Sequence, residues 1–185
     1  VKGSAYIDFP VNRTEIHEDY RNNPVELRKI RQTIDVVRND PDVRITSLSI
    51  KGYASPEGTY ANNTRLAKGR TATLKTYVRE LYHFPDSVIL TSYEPEDWSG
   101  LEAYVDSTNL KNRDAILALI RSDMEPDAKE KAIKSTYPED YRFLLQNVYP
   151  GLRHSDYVVQ YVVRTYTDVA EIRRIMKTQP QKLSL

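Results

Sequence analysis

No cysteine occurs among the 185 residues, which excludes disulfides, thiol catalysis and thiolate metal sites. No apolar run approaches the roughly 20 residues of a membrane-spanning helix, and no secretory leader opens the chain. Charge of one sign is not in excess either: 27 Lys and Arg against 26 Asp and Glu leave a net charge of +1. The two signs are interspersed along helical stretches, which reads as solvated faces rather than a binding stripe, so nucleic acid is not expected as a partner. Phenylalanine is scarce, 3 residues against 14 tyrosines. Tyrosine combines an apolar ring with a polar tip and suits half-exposed sheet positions and recognition surfaces. The chain opens on Val1 rather than methionine, and we expect it to be a piece of a longer precursor whose targeting signals lie elsewhere.

Catalytic patterns are missing as well. His17, His83 and His154 share no metal-ligand spacing, and surface or capping roles are expected of them. There is no nucleophile elbow, phosphate loop or dinucleotide fingerprint. Acidic pairs such as Glu94 with Glu96 and Asp97, or Glu139 with Asp140, fall at turns and helix starts, where the helix dipole favours them. No cofactor and no metal is expected, and an enzyme is the class least supported.

The informative stretch runs from Ile50 to Arg70, a strand entering a turn and then a long helix. Gly52 and Gly58 bracket a turn containing Pro56, and Asn63, Leu66, Arg70, Leu74, Tyr77 and Leu81 recur at spacings of three and four, one face of a helix. Arg70 and Asn63 lie on this otherwise apolar stripe, where a guanidinium requires a partner. That partner is either an internal carboxylate, Glu57 or Glu94, or an anionic group on a ligand in a cleft beside the turn. The planar fork of arginine suits a carboxylate.

These residues resemble the OmpA/MotB C-terminal-like domain of Gram-negative cell envelopes. The family motif reads Gly-His-Thr-Asp-x-x-Gly, four variable positions, Asn, two more, Leu-Ser, two more, then Arg-Ala. Gly52, Gly58, Asn63, Leu66 and Arg70 fall in register without a gap, with Ala67 at the small residue and Thr71 at the alanine. The resemblance implies non-catalytic binding of peptidoglycan through the diaminopimelate of the stem peptide, whose zwitterionic end the motif's aspartate and arginine hold. Here Tyr53-Ala54-Ser55 replaces His-Thr-Asp, so Ser55 stands at the ammonium-binding carboxylate. Breaking one half of a desolvated charge pair costs about 3–5 kcal/mol. Glu57, two residues on, is the candidate replacement, although it could equally neutralise Arg70 from within. The Gly-Tyr-Ala-Ser-Pro-Glu-Gly wording resembles a branch from anaerobic Gram-negative bacteria, in outer-membrane and surface-appendage proteins.

In chain order, 5–9 reads as a strand closed by Pro10. Asn23-Pro24-Val25-Glu26 reads as a helix start with Asn23 capping, and Leu27, Ile30, Ile34 and Val37 supply its apolar stripe. A strand over 43–52 follows, with either both faces covered or a bulge near Thr46 and Ser47. The first two strands are expected as parallel neighbours. A helix over 59–82, with Gly69 allowing close backbone approach, and a third strand over 86–93 complete the family-like part. Residues 95–149 then read as helical throughout, an insertion packed at one sheet edge, either covering that edge or docking a partner, with Trp98 either anchoring it or lining a pocket. Residues 157–166 give the closing strand, with Tyr157, Val159, Tyr161 and Val163 inward, and Leu152-Arg153-His154 stands in the place of the family's basic lead-in. A last helix over 168–176 precedes a tail with exposed-looking Leu183 and Leu185.

The expected fold is thus α+β, a β-α-β-α-β-(helical insertion)-β OmpA-like two-layer sandwich with four strands and two long helices on one face. The domain spans 1–176, with its core in 5–94 and 150–166, and 177–185 is a tail or linker. The expected function is anchoring an outer-membrane or surface protein to peptidoglycan, in the cell envelope on the periplasmic side or at the surface. Arg70 would bind a carboxylate, Ser55 and backbone amides of the turn from Tyr53 to Gly58 would hydrogen-bond, Asn63 would orient the turn, and Glu57 would take the ammonium. The alternative is a scaffold domain of a surface or fimbria-related protein whose wall site has lapsed and whose partners dock on 95–149.

Overall fold

The computed structural model describes residues 1–164 and 169–183. Among these, four strands form one mixed sheet: β1 (Lys2–Ala5), β2 (Val43–Tyr53), β3 (Ile89–Glu94) and β4 (Ser155–Val163). Their spatial order is β1-β4-β2-β3. β4 runs antiparallel to both β1 and β2, and β3 runs parallel to β2. The helices α1 (Asn23–Arg38) and α2 (Tyr60–Tyr82) cover one face. Leu27, Ile30, Ile34 and Val37 of α1 and Leu74, Val78 and Tyr82 of α2 share a single core with Leu48, Ile50, Ile89, Tyr157 and Val159 of the sheet. The α+β two-layer arrangement is therefore present, each buried aliphatic contributing about 1.5–3 kcal/mol of transfer free energy.

The sheet order departs from simple succession. β1 and β2 are parallel but not neighbours, because β4 lies between them. β4 is the most apolar strand, and a central place pairs its backbone on both sides where an edge place would leave one row of amides open. β1 also ends earlier than the sequence suggests. Beyond Ala5 the chain leaves the sheet, with Ile7 buried and Phe9 packed against the core. A register shift between Ile45 and Ser47 places a bulge at Thr46, so Val43 and Ile45 reach the same core as Leu48 and Ile50. In β4 only Tyr157 and Val159 are buried, while Tyr161 and Val163 are exposed at 43% and 58%. The expected inward face of β4 is thus covered only over its first half. Tyr166 of the expected strand and Asp168 of the expected last helix fall outside the described residues, as does Leu185.

α2 turns a different stripe inward from the one its aliphatics suggest. Asn63, Ala67, Thr71, Leu74, Val78 and Tyr82 are buried with Leu66, whereas Leu81 is exposed and Arg70 and Tyr77 are half-buried at the margin. Small residues set this rotation. A Cβ on Gly52 of β2 would stand 2.0 Å from the Thr71 hydroxyl oxygen, so β2 and α2 touch where neither carries bulk. The α2 C-terminus is closed by His83 in the left-handed conformation, φ 57°.

The start of α1 also differs. Asn23 is fully buried, yet it does not cap; Asn22 occupies the cap position without a side-chain bond. Asn23 Oδ1 instead accepts from the Asp8 amide at 2.8 Å, and its Nδ2 donates to the carbonyls of Asp8 and His17, both at 2.9 Å. A buried amide side chain that satisfies three backbone groups fixes the loop after β1.

Residues 95–149 are helical as expected, in α3 (Trp98–Ser107), α4 (Arg113–Ile120), α5 (Pro126–Thr136) and α6 (Pro138–Asn147), followed by the short α7 (Tyr149–Leu152). They own a separate core built on Leu101, Val105, Ile116, Ile133, Leu144 and Tyr149, against which Trp98 packs. The insertion does not cover a sheet edge. It joins the C-terminal ends of β2 and β3 and the N-terminus of α2, through Asp97 N–H to the Ala54 carbonyl at 2.9 Å and Tyr60 N–H to Asp127 Oδ1 at 2.7 Å. Thr91, Ser92 and Tyr93 of β3 accordingly remain exposed. After β4 come α8 (Val169–Thr178), with Ile175 buried, and a short 3₁₀ turn in which Leu183 is half-buried. Among the described residues no helix is long and apolar enough to cross a membrane.

Candidate functional site

The β2-to-α2 turn, the loop after β1 and Arg153, two residues ahead of β4, meet around a cleft of about 350 Å³. Three separate segments therefore build it, and only one of them carries the sequence motif. Asn63 holds the turn. Its Nδ2 lies 3.0 Å from the Ser55 carbonyl, 2.8 Å from the Glu57 carbonyl and 2.7 Å from Glu96 Oε2. Asn63 thus ties the start of α2 to the turn's own carbonyls. Glu96 is buried, and its other oxygen accepts from Trp98 Nε1 at 2.9 Å. Burial raises the Glu96 pKa, against the opposing effect of these two hydrogen bonds.

Arg70 lines the cleft half-buried. Its Nε donates to the Arg13 carbonyl at 3.1 Å, and its guanidinium lies 4.8 Å from the centre of the Phe9 ring. This approach depends on Gly69, since a Cβ there would meet Thr14 Cγ2 at 2.7 Å. Neither expected internal partner reaches Arg70. Glu57 pairs with Arg153, Oε2 to Nη2 at 2.7 Å, and Glu94 pairs with Lys51 at 3.4 Å. Among the described residues no carboxylate forms an ion pair with Arg70. Burial, then the repulsion of Arg153 and Arg65, push its pKa down to about 10. A guanidinium depressed in this way sits in positive potential and gains from any anion brought to it.

Ser55 is buried, and its hydroxyl accepts from Arg153 Nε at 3.1 Å. Arg153 thus stands before Ser55 and bridges it to Glu57. The sequence placed Arg153 only as a basic residue ahead of β4; its part in the cleft depends on bonding partners nearly a hundred residues away. Tyr53 lies off the main cleft. Its ring stacks on His154 with centroids 4.4 Å apart, and it borders only a small adjoining recess shared with Arg70 and Arg153.

His154 is half-buried rather than on the surface. Its two ring nitrogens lie 3.2 Å from Asp97 Oδ2 and 2.9 Å from Asp156 Oδ1. Burial lowers its pKa, but the hydrogen bonds and charges of Asp97 and Asp156 outweigh this and leave it raised. It ties the start of the insertion to β4. Among the described residues no group of three or more His, Asp or Glu side chains is placed to hold a metal ion.

The remaining polar lining of the cleft comes from Asp8, Asn12, Tyr20, Arg21 and Asn62. Asp8 lies in the stretch expected as the first strand, and neither it nor Arg21 falls in a functional motif of the sequence. The cleft is charged at both signs, with Arg70 in its lining, and can take a small polar group carrying a carboxylate. No protein-family model and no curated protein matches the chain.

Proposed function

We propose that this domain binds peptidoglycan without catalysis, taking the carboxylate at the diaminopimelate end of a stem peptide on Arg70. One observation carries the reading: Arg70 lines an open cleft, half-buried, with no carboxylate paired to it among the described residues. A scaffold domain with a lapsed site would be expected to close that arginine with Glu57 or Glu94, and both acids are engaged elsewhere. Arg153 adds positive potential beside Arg70, and Asn63 keeps the Ser55-to-Glu57 turn in shape for hydrogen bonding. The register of Gly52, Gly58, Asn63, Leu66 and Arg70 with the OmpA-like motif supports the same reading, and so does the α+β sheet on which they sit. In this role the domain would anchor an outer-membrane or surface protein to the wall, within the cell envelope.

The test is an NMR titration of the protein with a diaminopimelate-containing stem peptide, repeated on Arg70→Ala. A charge-assisted contact is worth about 1.5–3 kcal/mol, so the variant should bind roughly 10- to 100-fold more weakly. Saturable shifts of amides between Tyr53 and Arg70, lost in the variant, are the expected result. Silence at millimolar peptide would leave the scaffold reading, with the helical insertion as its docking surface.

A further inference from the structure

The cleft is lined by two carboxylates, Asp8 and Glu57, and by three arginines, Arg21, Arg70 and Arg153. Their pairing is uneven. Glu57 and Arg153 form an ion pair at 2.7 Å, and Arg153 is further fixed by the Ser55 hydroxyl. Arg21 lies over the Tyr20 ring, 5.1 Å from its centre. Asp8 is the one lining carboxylate, and Arg70 the one half-buried lining arginine, without an ion-pair partner among the described residues; Arg21 has none either, but it is exposed. The backbone at Asp8 is not loose. Its N–H and C=O are both held by the buried Asn23 amide, which could have capped α1 and is spent here instead. Phe9, the next residue, carries Arg70 on its ring, so the two charges are positioned through adjacent residues of one ordered loop.

We infer that Asp8 is the acidic pole of the ligand site, accepting the ammonium of a zwitterionic ligand whose carboxylate lies on Arg70, while Glu57 is held out of that role by Arg153. The inference rests on the wall-binding reading and names the residue that discriminates within it. A ligand with both charges would pair the two open groups at once. A ligand with the carboxylate alone would leave Asp8 desolvated beside it, and the cleft selects against that ligand.

The experiment compares two peptides by calorimetry: the diaminopimelate stem peptide, and one with 2-aminopimelate in its place, which keeps the terminal carboxylate and lacks the terminal ammonium. The native protein should prefer the first by about tenfold or more. Asp8→Asn keeps the backbone groups that Asn23 holds and should reduce that preference to less than threefold, while leaving affinity for the second peptide nearly unchanged. Asp8→Glu should restore part of the preference, and Glu57→Gln should keep it. Native binding abolished by Arg70→Ala, with discrimination intact in Asp8→Asn or lost in Glu57→Gln, would overturn the assignment of Asp8 alone. Absence of native binding to either peptide would overturn the wall-binding reading, and this inference with it.

Discussion

Asn63 Nδ2 lies 2.7 Å from Glu96 Oε2, joining the helix of the motif to the first residues of the insertion inside the protein. Asn63→Ala would leave a buried carboxylate with only the Trp98 indole as donor and free two turn carbonyls. The expected cost is about 1–3 kcal/mol, or a fall in Tm of roughly 3–10 °C. Adding Glu96→Gln should recover part of it, since the neutral amide needs no compensating donor for its charge. A thermal double-mutant cycle checks this, and strict additivity would refute the coupling.

The contact between Gly52 and Thr71 makes a steric prediction. A methyl group at residue 52 would meet the Thr71 hydroxyl at 2.0 Å and the Thr71 Cβ at 3.2 Å. Gly52→Ala should therefore destabilise by about 1–3 kcal/mol through overpacking. In a Thr71→Ala background most of that loss should vanish, because the nearest atom is gone. Denaturant unfolding of the four proteins measures it.

His154 makes stability depend on pH. Its folded pKa is raised above the ordinary value of 6.5, so its contribution is fully present below 6.5 and is lost as pH rises through the folded value. Asp97 has the opposite sign. Its pKa is lowered from 3.8: burial opposes the change, and hydrogen bonds from His154 and the Gly100 amide outweigh burial. Its contribution is present above 3.8 and is lost as pH falls through the folded value. The native protein should hold its highest Tm between these windows and decline from pH 6.5 upward. His154→Gln should flatten the alkaline limb, and an unchanged limb would assign the decline to other groups.

The insertion has its own core, and Leu144 is completely buried within it. Leu144→Ala should cost about 2–5 kcal/mol. Because the insertion meets the sheet mainly through polar bonds, amide exchange should accelerate over 98–152 before it does in β2 and β4. Uniform acceleration would show instead that the two cores unfold together.

The elements were legible along the chain because each rests on local chemistry. Periods of two and of three to four, prolines at helix starts and the proline-bearing turn place α1, α2, β2 and the insertion helices without tertiary information. The same local chemistry identified Arg70 as a charge in need of a partner and Asn63 as the residue beside the turn. It misjudged which face α2 buries, since Leu81 and Tyr77 extend an aliphatic pattern while the actual contact runs through Ala67 and Thr71 against Gly52. Asn23 fits a capping signature as well as any asparagine before a proline, and only the packed loop after β1 diverts it to Asp8.

What the sequence by itself determined is the inventory: an α+β chain without thiols, a motif spacing, and an arginine on a half-apolar face. The tertiary structure alone decided which charges cancel. Arg153 reaches Glu57 and Ser55 across nearly a hundred residues, β4 enters between β1 and β2, and Asp8 comes to the cleft that Arg70 lines. An ion pair falls off over a few ångströms and is indifferent to distance along the chain. Its membership therefore follows from the folded path of the backbone, which no local pattern of residues specifies.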